Sequence, residues 1–224
     1  MRIRIIIPYK SVGLGSDANI YKNLLLSLDK KFDVIISSSN DNLPHDIDDV
    51  HIYVSNASKQ WLDKARFRLF MSNHELFYQN DNDRPIYDKL DMVLCKTKIG
   101  YDWVAQIKEK YNFKYKIEYT KFTTDFPVID AHKTWNIVLH SAGEHHWKQT
   151  DAVIKAWKKY PDLPLLILTC TNQCYENIKG LIKNGLPENI FFHKKLLDKE
   201  EFVKIKNNIG IHLCPSIVEG YGHY

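Results

Sequence analysis

A lysine just ahead of a helical pattern is a ready cation for a phosphate, and Lys148 has that setting. Trp135–His140 is an apolar run that reads as a buried strand, a polar segment follows, and from Thr150 the spacing of Val153, Ala156, Trp157 and Tyr160 is helical. A helix opening near Lys148 or Thr150 points its free N–H groups and positive dipole end at the polar segment, the arrangement that receives anions at strand ends in α/β sheets. Lys148 adds a full charge there, and a charge-assisted hydrogen bond from it is worth roughly 1.5–3 kcal/mol. A solvated lysine is the plain alternative.

Two glycine-containing stretches have similar chemistry. Tyr9–Ser16 joins the first strand to the first helix as a loop with Gly13 and Gly15, where backbone can approach a ligand closely and take positive φ. Gly13 to Ala18 also matches the dinucleotide pattern G-x-G-x-x-A. In a nicotinamide fold, however, the first glycine follows the strand at once and an acidic residue closes the second strand, whereas here Pro8–Val12 intervene and Ser37 stands at that strand end. After the strand expected at Gly210–Cys214 come Glu219, Gly220, Tyr221 and Gly222. A carboxylate there accepts hydrogen bonds from sugar hydroxyls, and the glycines leave N–H groups free for a phosphate. Flexible or solvent-exposed turns are the plain readings of both stretches.

Metal binding is weighed and set aside. His140, His145 and His146 lie in or beside one loop and Cys170 and Cys174 form a C-x3-C pair, but no second compact pair completes a tetrahedral set, and adjacent histidines tend to point apart. No metal and no cofactor is expected.

These groups must be carried by a folded scaffold, and the composition allows one. The chain has 224 residues, 44% hydrophobic and 26% charged, which excludes wholesale disorder. Its net charge of +4 is spread evenly except for the lysine-rich stretch 194–206, which reads as a solvated helix face rather than a nucleic-acid surface. The scattered Cys95, Cys170, Cys174 and Cys214 read as reduced thiols, hence a cytoplasmic location. The first apolar run stops at Pro8 without a cleavage site and reads as a strand, and no run of 18 apolar residues spans a membrane.

Strand-like runs at Ile3–Ile7, Asp33–Ile36, His51–Val54, Phe67–Met71, Met92–Cys95 and Lys116–Tyr119 alternate with helical patterns. The helices are expected at Asp17–Asp29, with Ser16 or Asp17 as N-cap and Tyr21, Leu24, Leu25 and Leu28 at helical spacing, and at Ser58–Ala65, Pro85–Leu90 and Ile99–Tyr111. Lys121–Thr134 lacks periodicity and marks a boundary, giving domains 1–130 and 131–224. The second repeats the rhythm with strands Trp135–His140, Leu163–Thr169, Ile190–His193 and Gly210–Cys214 and helices Thr150–Tyr160, Asn172–Asn184 and Asp198–Asn207. The expected fold class is α/β, two Rossmann-like doubly wound parallel sheets, the second incomplete because no helix follows its last strand.

Pro215-Ser216, Glu219-Gly220-Tyr221-Gly222 and the stretch from Ala142 to Thr150 resemble the GT-B glycosyltransferases of the retaining, GT4-like branch, where a strand ending in PS precedes EGFG and a loop near AG(K/R)xxxKGT precedes a helix. Phe122-Thr123-Thr124-Asp125 and Ser72-Asn73-His74-Glu75 also resemble pieces of such proteins. The resemblance implies transfer of a sugar from a nucleotide-sugar donor to a carbohydrate or glycoconjugate acceptor with retention and without metal, a hexosyltransferase-like activity. It implies that Lys148 neutralises the donor diphosphate, that Gly13 and Gly15 bring backbone near it, and that Glu219, with the N–H groups of Tyr221 and Gly222, meets the sugar. His74 and Glu75 fall on the acceptor side, His74 as a further catalytic candidate.

The chain departs from the pattern at three points. Glu144 stands where relatives carry Lys or Arg, and a carboxylate about 4 Å from a phosphate charge is repelled by roughly 4 kcal/mol at an effective dielectric of about 20. Gln149 replaces a glycine, and the family's second glutamate falls beyond Tyr224. The chain therefore reads as truncated inside its nucleotide-binding domain. The competing reading is an inactive remnant or a nucleotide- or carbohydrate-binding protein that needs a partner chain to complete its fold.

Overall fold

Alternation along β1 (Arg2–Ile7) decides how the first sheet is covered: Ile3, Ile5 and Ile7 face one core and Ile6 the other. The protein is described by a computed structural model over residues 1–9, 12–73, 77–78, 80–121, 127–142, 148–170, 172–183, 185–193 and 197–217. The chain divides into two units, Met1–Asp125 and Phe126–Tyr224.

In the first unit, β1 is followed by α1 (Val12–Leu28), β2 (Asp33–Ser38), β3 (Asp48–Val54), a 3-10 turn over Lys59–Lys64 and β4 (Ala65–Ser72). A second 3-10 turn then runs into α2 (Arg84–Tyr87), and β5 (Met92–Cys95), α3 (Lys98–Tyr111) and β6 (Lys116–Tyr119) complete it. The six strands are parallel in the order β2-β1-β3-β4-β5-β6. One face packs on Ala18 and Tyr21 of α1. The other packs on Trp61 and Leu62 of the 3-10 turn, Tyr87 of α2, and Val104 and Ile107 of α3.

Helix α1 corrects the sequence reading. It begins at Val12, so Tyr9–Ser16 is not a loop throughout, and neither Ser16 nor Asp17 is an N-cap. Packing overrides the local signal: Ala18 is fully buried and Tyr21 nearly so, which favours carrying the helix back through the glycines. Leu24 and Leu28, which share the helical spacing of Tyr21 and Leu25, are 56% and 72% exposed. The pattern Ser58–Ala65 forms a 3-10 turn, and the pattern Pro85–Leu90 yields only the one-turn α2.

The second face also buries polar groups. Asp48 accepts from Arg4 Nε at 2.6 Å and from His51 Nε2 at 2.9 Å, and Arg4 Nη1 also donates to Ser37 Oγ at 2.9 Å. Burial works to raise the Asp48 pKa, but the hydrogen bonds from Arg4 and His51 prevail and lower it. For His51, burial prevails over the Asp48 contact and lowers the pKa.

The second unit runs β7 (Thr134–Ser141), α4 (Thr150–Lys159), β8 (Leu165–Thr169), α5 (Asn172–Ile182), β9 (Ile190–His193), α6 (Lys199–Asn208) and β10 (Ile209–His212). Its strands are parallel in the order β10-β7-β8-β9. Val153, Ile154 and Trp157 of α4 and Cys174 and Ile178 of α5 form the core against Val138, Leu166, Leu168 and Ile190. Tyr160, expected to share a helix face with Val153, Ala156 and Trp157, is 52% exposed, because the helix ends at Lys159 and Tyr160 leaves it with φ −125°. Helix α6 opens on a capping box, with Asp198 accepting from Glu201 N at 2.8 Å. Asn207 ties the preceding segment to this unit, accepting from Ile129 N at 2.9 Å and donating to Pro127 O at 3.1 Å. Both units are Rossmann-like α/β layers on a parallel sheet, as the alternation of strand and helix patterns implied.

Candidate functional site

Strand order locates the crevices. In the second unit β7 lies between β8 and β10, so the direction of sheet growth reverses between β7 and β10, and ligands of such sheets bind outside the carboxyl ends at that reversal. Lys148 and α4 follow β7, while Leu213 to Ser216 follow β10. The two strand ends are tied together by Leu213 N, which donates to Leu139 O at 2.8 Å.

His140 sits at this reversal, 1% exposed. Its Nδ1 is 2.9 Å from Leu213 O, and a carbonyl only accepts, so Nδ1 carries the proton and donates. Nε2 then accepts from the Thr150 hydroxyl at 3.0 Å. Burial lowers the His140 pKa, the Leu213 contact opposes this, and the positive charge of Lys148 lowers it further, so the ring is neutral. Both ring nitrogens are thereby engaged by protein, which leaves neither open as a zinc ligand. Among the described residues no group of three or more His, Cys, Asp or Glu could hold a metal ion.

Thr150 starts α4 and is itself buried. The residue before it, Gln149, takes the left-handed conformation with φ 54° and ψ 32°, a shape that glycine adopts without cost. Asp151 in the first turn is paired with Lys155 at 3.0 Å, and its pKa is lowered first by that contact and further by the Ala152 amide. Part of the positive helix end is therefore already answered by protein, which makes the charge of half-buried Lys148 the more significant element for an anion.

The first unit reverses between β1 and β3. Gly13 and Gly15 fall in the first turn of α1 beyond β1, and a Cβ built on Gly15 would meet nothing within 4 Å among the described residues. Beyond β3, Ser55 holds φ 72° while donating to Met71 O at 2.8 Å. A polar cluster that sequence reasoning missed lies at the same end of the sheet. Lys96, just after β5, is 2.6 Å from Asp17 of α1 and 3.4 Å from Asn73, just after β4. Asp17 looked like a cap in sequence; no local signal marks a partner 79 residues away. Glu219, Tyr221, Gly222, His74 and Glu75 lie outside the described residues, as do His145 and His146.

No helix among the described residues is long and apolar enough to cross a membrane. No family model matches the sequence, and no curated protein does. The fold, however, is similar to solved structures. TarM superposes with TM-score 0.56 at 15% identity over 80% of this chain. An alpha-glucosyltransferase in complex with UDP-glucose and DNA containing an abasic site gives 0.54 at 11% over 95%. The MnaA–UDP co-structure from S. aureus gives 0.52 at 11% over 92%. The chain spans 39% of the length of TarM and 71% of each of the other two. At such identities the likeness is one of fold: two parallel-sheet α/β units in succession, the architecture of these proteins.

Proposed function

We propose that this chain is a retaining glycosyltransferase of the GT-B, GT4-like type, transferring a sugar from a nucleotide-sugar donor to a carbohydrate or glycoconjugate acceptor. The observation that carries the reading is Lys148 at the start of α4, beside a neutral His140 and at the strand reversal of the second unit. UDP is the proposed nucleotide, since structures of similar fold hold UDP or UDP-glucose. Residues 131–224 are assigned to the donor and 1–130, apart from Gly13 and Gly15, to the acceptor. Outside the lysine-rich stretch 194–206 the charge is spread evenly, which supports a carbohydrate rather than a nucleic-acid acceptor. The four free thiols fit a cytoplasmic setting.

In this reaction the bond from the anomeric carbon to the diphosphate breaks as the bond to the acceptor oxygen forms. The electron pair leaves with the nucleoside diphosphate, and the acceptor hydroxyl passes its proton to a phosphate oxygen of that leaving group. The leaving group gains negative charge along the way, so Lys148 and the N–H groups of α4 stabilise the transition state more than the ground state. That is the role a metal would otherwise fill, and none is proposed. Gly13 and Gly15 are assigned to backbone approach to the donor, Glu219, Tyr221 and Gly222 to the sugar, and His74 and Glu75 to the acceptor side.

The test is a thermal shift of the full chain with UDP, GDP and NAD, followed by turnover of the matching nucleotide sugar. Stabilisation by a nucleoside diphosphate and turnover lost in Lys148→Ala and Glu219→Gln are expected. Binding without turnover would favour a binding protein, and stabilisation by NAD alone would overturn the reading.

A further inference from the structure

The hydrogen bonds around His140 run in one direction and join elements far apart in the chain. Nδ1–H is given to Leu213 O and the Thr150 O–H is given to Nε2. A single buried imidazole thus links the start of α4 to the end of β10. His140 and Leu213 are 73 residues apart in sequence. The ends so joined are those that carry the donor-site segments: Lys148 lies two residues before Thr150, and Leu213 is followed by Cys214, Pro215 and Ser216 on the way to Glu219.

We propose that His140 is a positioning residue of the donor site, a neutral clamp between Thr150 of α4 and Leu213 O beyond β10 that holds the start of α4 and the segment from Leu213 to Ser216 at a fixed spacing. The proposal rests on the glycosyltransferase reading for its purpose, while the clamp itself is a property of the second unit alone. The geometry explains why a histidine serves. Its two ring nitrogens point in nearly opposite directions, so one neutral side chain donates at one edge and accepts at the other. A lysine in its place would only donate, a carboxylate would only accept, and either would bring an unpaired charge into the core.

The test uses three variants of the full chain. Thr150→Val keeps the shape of the side chain and removes the hydroxyl. Thr150→Ser keeps the hydroxyl. His140→Asn retains an N–H close to Leu213 O but is too short for Thr150. Amide hydrogen exchange is measured over residues 138–142, 150–154 and 211–217 without ligand, and UDP affinity is measured alongside.

In Thr150→Val, faster exchange is expected beyond β10 as well as in α4, with UDP binding weakened about tenfold, as the loss of one buried hydrogen bond implies. Thr150→Ser should restore both, and His140→Asn, which breaks the same Thr150 contact, should loosen both sides as Thr150→Val does. A merely structural role predicts a lower melting temperature with UDP affinity intact. Unchanged exchange beyond β10 in Thr150→Val overturns the clamp. Wild-type chain that binds no nucleoside diphosphate overturns the donor-site reading and the clamp's purpose, while the exchange data still decide whether the clamp exists.

Discussion

The Lys96 ammonium lies 2.6 Å from the Asp17 carboxylate, with the two side chains only 4% and 9% exposed. The contact pins the second turn of α1 to the end of β5, and with it the glycine-bearing first turn assigned to the donor. A buried pair of this kind is costly to break from one side, because the remaining charge stays buried without its partner. Asp17→Asn and Lys96→Met should each destabilise the chain by about 3–5 kcal/mol, and the double replacement Asp17→Leu with Lys96→Met should recover much of that. Urea denaturation of the full chain reads all three. A single variant as stable as wild type would show that the pair contributes nothing.

Acid should destabilise the fold well before its surface carboxylates are titrated. His51 and His140 both have pKa values below the 6.5 of a free histidine, because burial disfavours the imidazolium. As pH falls through 6.5 the unfolded chain takes up protons at these positions and the native chain does not, so stability falls. Asp48, whose pKa is below 3.8 in the fold, adds a second loss once the pH drops into the carboxylate range. The urea midpoint should therefore be flat between about pH 8 and 7.5 and decline steadily below about 6.5. His51→Gln should flatten part of the decline.

Gln149 suggests a stabilising substitution. A left-handed residue with a Cβ costs roughly 1–2 kcal/mol relative to glycine. Gln149→Gly returns part of this and gives the rest away as extra freedom in the unfolded chain, so a net gain of about 1 kcal/mol is expected, read as a higher urea midpoint. A lower midpoint would mean that the glutamine side chain makes a contact that outweighs the strain.

Gly210 allows β10 to pass Trp135. A Cβ there would lie 2.5 Å from Trp135 Cε3, and the strand register against β7 is irregular between Ile209 and Ile211. Gly210→Val should cost about 1–3 kcal/mol through this clash, since either the indole or the strand must move. Trp135 is 66% exposed, so Trp135→Ala should relieve most of the loss. If the double variant is as unstable as Gly210→Val, the limit lies in the backbone rather than the ring.

The parts of this fold legible in the sequence are those fixed by short-range pattern. Met92–Cys95, Lys116–Tyr119 and Ile190–His193 are strands residue for residue as expected, the first and last being mainly apolar runs and the second a polar–apolar alternation. Where an element's end depends on what it packs against, the pattern misled. The glycines before Asp17 read as a loop because nothing local announces that Ala18 and Tyr21 will be buried. The same limit held at the candidate site. The position of Lys148 between a strand and a helix was legible. The link through His140 was not, because its partners are a distant carbonyl and a hydroxyl ten residues on, and neither leaves a mark at position 140.

The separation of 73 positions between His140 and Leu213 also sets an order of events during synthesis. β7 leaves the ribosome early, yet its neighbour β10 arrives only after α4, β8, α5, β9 and α6 have been made. Until then β7 offers one bare flank, an open template for stray strands of nascent chains nearby. Translation speed through the intervening helices therefore governs how long the newborn chain stays vulnerable, and slowing it should raise the fraction lost to aggregates.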